Sequence, residues 1–341
     1  MLEVKNVKKS YGDHAALKSL SFTAADGRIV GFLGPNGAGK TTAMNIFSGY
    51  MDPSSGTVRV CGFDLAHERK RALEQIGYLP ENPPLYPEMN VREYLCFIAG
   101  LKGLKGQKGR AEAERLAQLA GVEAEFGKTI GQLSKGTKQR VAIAGAMVGS
   151  PKLLLLDEPS NGLDPGQAAL FKKNITELKK TGATIIVSSH ILSQVSAICD
   201  EMLIINRGRL IASGTASFFE KKLSKEGGFT VDIPAAPTEC EKAFSPLKSL
   251  CEIRYEGNAT SGASSYMING GKRDVRKELF DAVAQAGLYI ERLEPAGKTL
   301  EEIYLGMIDA SEAEFEKAHR RSVERRKIRE EKGEDNEDDL L

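Results

Sequence analysis

No apolar run in the 341-residue chain approaches the roughly 20 residues needed to cross a bilayer; the longest, such as 141–149 and 184–189, stop far short. A membrane-spanning chain is therefore excluded. The start, MLEVKNVKKSYG, lacks the continuous apolar core of a secretory signal and points to a protein kept in the cytosol. The five cysteines, at 61, 96, 199, 240 and 251, form no CxxC pair and are odd in number. A disulfide framework or zinc site is not expected, and reduced core thiols are. Charge of one sign is lacking too: 47 Lys+Arg face 46 Asp+Glu, for a formal +1. Bulk electrostatics thus call for no nucleic acid, anionic membrane or acidic substrate. No repeat of 20 to 50 residues is apparent. What the chain does have is 41% hydrophobic residues and 35 glycines, an ordinary globular composition at a length that favours two domains.

Short β-like runs (2–8, 20–23, 28–33) alternate with Gly-rich turns, and helix-like stretches (110–120, 137–148, 167–180) then alternate with apolar runs at 152–156 and 184–188. This alternation predicts an α/β domain with a mostly parallel, covered sheet. The pattern changes after residue 214, so a boundary is placed near 218. From 229 to 293 the runs read β, α, β, β, α, β, a small split-βαβ domain, closed by a helix at 299–307. From 310 the chain is charged or small, with a basic block (Arg320, Arg321, Arg325, Arg326, Lys327, Arg329) before an acidic end. A solvated helix followed by a disordered acidic tail is expected there.

Gly34-Pro-Asn36-Gly37-Ala-Gly39-Lys40-Thr41-Thr42 matches GxxxxGK[ST] between an apolar strand and a helix-like stretch, as a phosphate-binding loop requires. Its backbone N–H groups and the helix N-terminus suit phosphate oxygens, Lys40 suits the β- and γ-phosphates, and the Thr41 hydroxyl suits Mg²⁺. Downstream, KLLLLDEP carries Asp157 and Glu158 at the end of a buried strand. Asp157 can serve the Mg²⁺ shell, and Glu158 can polarise an attacking water as general base. The ligand is a nucleoside triphosphate.

Between the two motifs lies Leu133-Ser134-Lys135-Gly136-Thr137, which resembles the signature of ATP-binding cassette (ABC) proteins. Gly162 and Asp164 in SNGLD resemble that family's D-loop, His190 in IIVSSHIL its switch histidine, and Tyr11 the aromatic that stacks on adenine. The resemblance spans residues 2 to about 217. It implies a P-loop NTPase cassette with a parallel core sheet, an antiparallel β subdomain and a helical subdomain. The domains would be a cassette at 1–217, a small α/β extension at 218–309 and a charged tail at 310–341. It also implies ATP and Mg²⁺ as ligands, with Thr41, Glu81 and Asp157 on the metal side and Lys40, Glu158 and His190 as the catalytic set. Tyr11, Gly34, Asn36, Gly37, Gly39, Thr41, Thr42 and Glu81 would contact nucleotide within one chain. Asp164 would also belong to the nucleotide-binding set, and Ser134 and Gly136 would act from a second cassette docked head to tail.

Since the chain holds one such set, a second copy or a homologous chain is required. Two departures stand out. Glu81 occupies the position of the usual glutamine, and Lys135 and Thr137 replace glycine and glutamine in the signature. Both resemble exporters of drugs, lipids or polysaccharides whose cassette and permease are separate chains. The implied partner is an integral membrane permease, and the implied location is the cytoplasmic face of the membrane. Tyr86, Tyr94 and Phe97 are candidates for the permease groove, or else they pack internally. The alternative is a soluble ABC ATPase working on DNA or ribosomes. The interval from Lys40 to Ser134 is too short for the coiled-coil arm of DNA-repair types, and acidic residues interleave the basic block, so no nucleic acid is expected.

Overall fold

The computed structural model describes residues 1–161, 163–223, 228–271, 273–296 and 300–331. Gly162 and the acidic end at 332–341 lie outside them. Contacts divide the chain into two units, Ser217–Gly306 and the remainder on either side of it, so the described residues from Met307 onward group with the first unit.

The first unit opens with an antiparallel sheet in the order β2-β1-β4-β5, built from β1 (Leu2–Tyr11), β2 (His14–Ala24), β4 (Ser55–Val60) and β5 (Phe63–Asp64). Beside it runs a six-stranded sheet ordered β10-β9-β3-β8-β7-β6. Its strands are β3 (Ile29–Leu33), β6 (Ile76–Leu79), β7 (Leu153–Leu156), β8 (Thr184–Ser189), β9 (Glu201–Asn206) and β10 (Arg209–Gly214). Only the β9–β10 hairpin is antiparallel. β3, β7 and β8 are buried along their whole length, as their continuous apolar or small residues require of strands covered on both faces.

One apolar core joins the two sheets to α1 (Lys40–Phe47). At its centre Phe22, Phe32 and Phe47 meet with ring centroids 5.6 to 6.1 Å apart. These three rings come from β2, β3 and α1, so the packing fixes the strand before the phosphate loop and the helix after it as one rigid corner. A helical layer follows: α2 (Arg69–Leu73), α3 (Val91–Leu101), α4 (Gln107–Ala120) and α5 (Lys135–Ala146). α3 begins at a reciprocal cap in which Asn90 accepts from the Glu93 N–H and Glu93 from that of Asn90. α6 (Pro165–Lys179) and α7 (Leu192–Val195) complete the crossovers, and α8 (Ala216–Leu223) leads out of the unit. All five cysteines are free.

The second unit is the βαββαβ fold that its pattern predicts. β11 (Gly228–Ile233), β12 (Glu252–Asn258), β13 (Ser264–Asn269) and β14 (Arg292–Ala296) pair antiparallel in the order β12-β13-β11-β14. α9 (Pro237–Ala243) and α10 (Arg276–Gln285) cover one face over Val231, Ile233, Tyr266 and Ile268. The last strand lies later than the apolar run at 289–293 suggests. Pairing starts at Arg292, opposite Asp232, whose buried carboxylate accepts from the Arg292 guanidinium at 2.7 Å, while Tyr289 stays exposed. α11 (Leu300–Glu331) continues well past residue 307.

Candidate active site

The carboxyl ends of β3, β7 and β8 adjoin one another, and each feeds one motif into the same crevice. This is where ligands bind in sheets of this kind. After β3 the chain turns through Gly34–Gly39 into α1. Gly39 caps the helix at φ 101° and Gly37 sits at φ 77°, so both hold backbone that a side chain resists. The loop leaves the first N–H groups of α1 facing the crevice without a side-chain cap.

Lys40, only 6% exposed, folds over this loop. Its ammonium donates to the Gly34 and Pro35 carbonyls at 2.8 and 3.2 Å. It also lies 3.2 Å from Glu158 Oε1, near enough for an ion pair but off the line of a hydrogen bond. Glu158 is 7% exposed, and its second oxygen, Oε2, is 2.9 Å from His190 Nδ1. A carboxylate only accepts, so Nδ1 carries the proton, and a neutral ring then offers Nε2 as an acceptor. The backbone of Glu158 is left-handed, at φ 46°, a strained state for a residue with a Cβ.

Asp157 is fully buried. Burial raises its carboxyl above the ordinary range, against the lowering influence of the nearby Ser188 and Thr41 hydroxyls, and the nearby Glu158 and Glu81 charges push the same way as burial. Oδ1 accepts from Ser188, whereas Oδ2 is buried with no hydrogen-bond partner. Among the described residues no three His, Cys, Asp or Glu side chains are placed to enclose a metal ion unaided. Mg²⁺ does not need such a cage, because it keeps waters and takes one or two carboxylates beside phosphate oxygens. An unsatisfied Asp157 oxygen next to the Thr41 hydroxyl fits that requirement.

A cavity of about 470 Å³ opens above this floor. Tyr11, Asn36, Gly37, Gly39, Lys40, Thr41 and Thr42 line it from the loop side, and Glu81, Glu158 and His190 from the other. Gly34 and Asp157 lie directly behind, in contact with Lys40 and Ser188. Three expected residues are elsewhere. Ser134 caps α5 by accepting from the Thr137 N–H, and with Gly136 it lines a separate cavity beside Gln167. Asp164 caps α6 by accepting from the Gln167 N–H at 2.8 Å.

His14, Ala16 and Asn161 also line the main cavity and were not picked out from the sequence. His14 had a signal: Gly12-Asp13 is a two-residue hairpin turn, and the β1–β2 register sets His14 opposite Tyr11. Asn161 donates to Glu81 Oε1 at 3.3 Å across the cavity rim, a contact between residues far apart in the chain that no local pattern announces. Of the three aromatic candidates, Tyr94 is 6% exposed and packs against Gly145 in α5. Tyr86 and Phe97 are surface residues, with rings 5.7 Å apart and edge to face.

Comparison with known proteins places this geometry. The profile of the ABC transporter family matches residues 17–161. The Nod factor export ATP-binding protein I of Burkholderia orbicola (strain AU 1054) is 36% identical over 62% of this chain and 70% of its own length. The linearmycin resistance ATP-binding protein LnrL of Bacillus subtilis (strain 168) is 34% identical over 68% of this chain and 73% of its own. A solved ATP-binding subunit of an ABC transporter superposes with a TM-score of 0.58 at 34% identity, covering 65% of this chain and 92% of that one.

Proposed function

The chain belongs to the ABC transporter family, as an ATP-hydrolysing ATP-binding subunit, and from that premise we propose an exporter subunit that works as a head-to-tail dimer of this chain on a separate membrane permease. The observation that carries the dimer is the division of the site. Lys40, Glu158 and His190 share one cavity, while Ser134 and Gly136, the second phosphate-binding set, line another in the same chain. A second copy brings its Ser134, its Gly136 and the start of its α5 over the first copy's nucleotide. Asp164, the cap of α6 a few residues after Asp157 and Glu158, would contact the partner.

In this reading the triphosphate takes over Lys40. Its Nζ exchanges the Gly34 and Pro35 carbonyls and Glu158 for β- and γ-phosphate oxygens, leaving Glu158 Oε1 to accept a proton from water. His190 must change as well. Phosphate oxygens accept only, so the ring either gains a proton on Nε2 or releases Glu158 to donate there. Thr41, Asp157 and, at the rim, Glu81 would hold Mg²⁺, which supplies charge neutralisation on the phosphates. Tyr11 offers an exposed ring for the base.

The Nod factor export relative is named for export, which supports that direction for this chain. Among the described residues no helix is long and apolar enough to span a membrane, so transport needs a partner that does. The exposed Tyr86–Phe97 pair is the proposed contact with that permease, at the cytoplasmic face of the membrane. Glu158→Gln tests the core of the proposal: phosphate release should fall about 10²- to 10⁴-fold, and ATP should then convert monomer to dimer in sedimentation. Undiminished turnover in this variant would remove Glu158 as the base.

A further inference from the structure

We propose that Ser188 is the positioning residue of the hydrolytic end of the site, one buried hydroxyl that sets Asp157 and Glu158 together; the inference rests on the roles given to those two residues above. β7 and β8 run parallel with Leu156 opposite Val187, so the next residue on each strand, Asp157 and Ser188, lie side by side. Ser188 is fully buried. Its oxygen is 2.8 Å from the backbone nitrogen of Glu158 and hydrogen-bonded to Asp157 Oδ1.

The direction of both bonds follows from valence. A backbone N–H can only donate, so the hydroxyl oxygen accepts there and its single proton goes to Asp157. The first bond ties the strained backbone of Glu158, at φ 46°, to the rigid edge of β8, and Asn161 closes the turn by donating to the Glu158 carbonyl at 3.1 Å. The second occupies Oδ1 and leaves Oδ2 as the free oxygen of Asp157. One rotamer therefore selects which Asp157 oxygen faces the metal side and where the Glu158 side chain departs.

The neighbouring serine does something else. Ser189 Oγ bonds within its own turn, to the Ile191 N–H and carbonyl, shaping the segment that carries His190. Strand packing alone does not explain a hydroxyl at 188, because the preceding residues are Ile185, Ile186 and Val187 and a polar group this deep costs free energy unless bonded. Ser188 does not itself line the cavity, so it acts through its two neighbours rather than on nucleotide.

Thr and Val are nearly isosteric and differ in the hydroxyl, so the test compares Ser188→Thr with Ser188→Val in the full chain. Phosphate release at saturating ATP gives kcat, and titration with a fluorescent ATP analogue gives affinity. We expect Ser188→Val to lose roughly 10- to 100-fold in kcat with affinity unchanged within about threefold, and Ser188→Thr to retain native kcat within a similar factor. Equal turnover in the two variants, whether both are fast or both slow, overturns the proposal. Both changes are repeated with Glu158→Gln, where Val should add nothing further. If Glu158→Gln alone hydrolyses ATP at the native rate, the base assignment fails by itself, and the Thr and Val comparison still decides for or against Ser188.

Discussion

Three glycines of the phosphate loop separate two physical reasons for glycine. A Cβ at Gly34 would lie far inside contact with the Ile205 carbonyl oxygen, 2.9 Å from Ile205 Cγ2 and 3.1 Å from Ala38 Cβ, although Gly34 does not need positive φ. Gly37 is the reverse case, with φ 77° and nothing within 4 Å. Gly39 combines both, with φ 101° and the Ala16 carbonyl oxygen at 2.8 Å. Gly37→Ala costs about 1 to 2 kcal/mol of left-handed strain, offset by about 0.4 to 1 kcal/mol from a stiffer unfolded chain. The net, between about 0 and 1.6 kcal/mol, lowers Tm by at most roughly 3 to 6 °C in a unit of this size. Gly34→Ala has no rotamer to relieve it, because the obstruction is backbone of the adjacent strand. Overpacking of that kind costs about 3 kcal/mol, so Tm should drop by roughly 6 to 12 °C. The loop must also move relative to β9, and a displacement near 1 Å is worth on the order of 10² in function. Gly39→Ala should be at least as damaging as Gly37→Ala by the added contact. Calorimetric melts and ATP titration measure both quantities. If Gly37→Ala destabilises as much as Gly34→Ala, the steric account of Gly34 is wrong.

Replacing both Tyr86 and Phe97 with Ala should leave folding and basal ATP turnover within about twofold of native, since both rings are surface residues, while co-purification with a co-expressed permease is lost; undiminished co-purification would show that docking lies elsewhere. Tyr94→Ala, by contrast, should cost about 3 to 5 kcal/mol, read by denaturant titration, because it empties the space against α5. Burial pushes the Cys199 thiol up to about 12. A thiolate-selective reagent at pH 8 should therefore spare it in the native protein and label it in denaturant. Its contribution to stability is complete below about pH 9, the unfolded value, and is lost as pH rises toward 12.

Much of the site was legible because its residues stand in contiguous motifs. Gly34 to Thr42 needs only its own loop and the strand and helix around it, and Asp157 with Glu158 needs only a buried strand to end beside it. The alternation of apolar strand and helix was enough for the parallel sheet, and the order of runs for the βαββαβ unit. Local pattern could not supply the strained backbone of Glu158 or its pairing with Lys40 and His190, since these groups meet only when β3, β7 and β8 are neighbours. Nor could it sort the aromatics: Tyr86, Tyr94 and Phe97 share a helical neighbourhood, and the presence of α5 behind one of them decides which is internal.

The absences in the composition set only bounds: no apolar run is long enough to span a bilayer, and the five cysteines form no CxxC pair. Sequence by itself pointed to the chemistry proposed for the site, because phosphate loops and acidic strand ends are short-range constructions. Only the tertiary structure decided how the charges are shared, which Asp157 oxygen is left free and why Ser134 stands apart from Lys40. Those are distances between elements remote in the chain, set by strand order and packing, and no local pattern of residues encodes them.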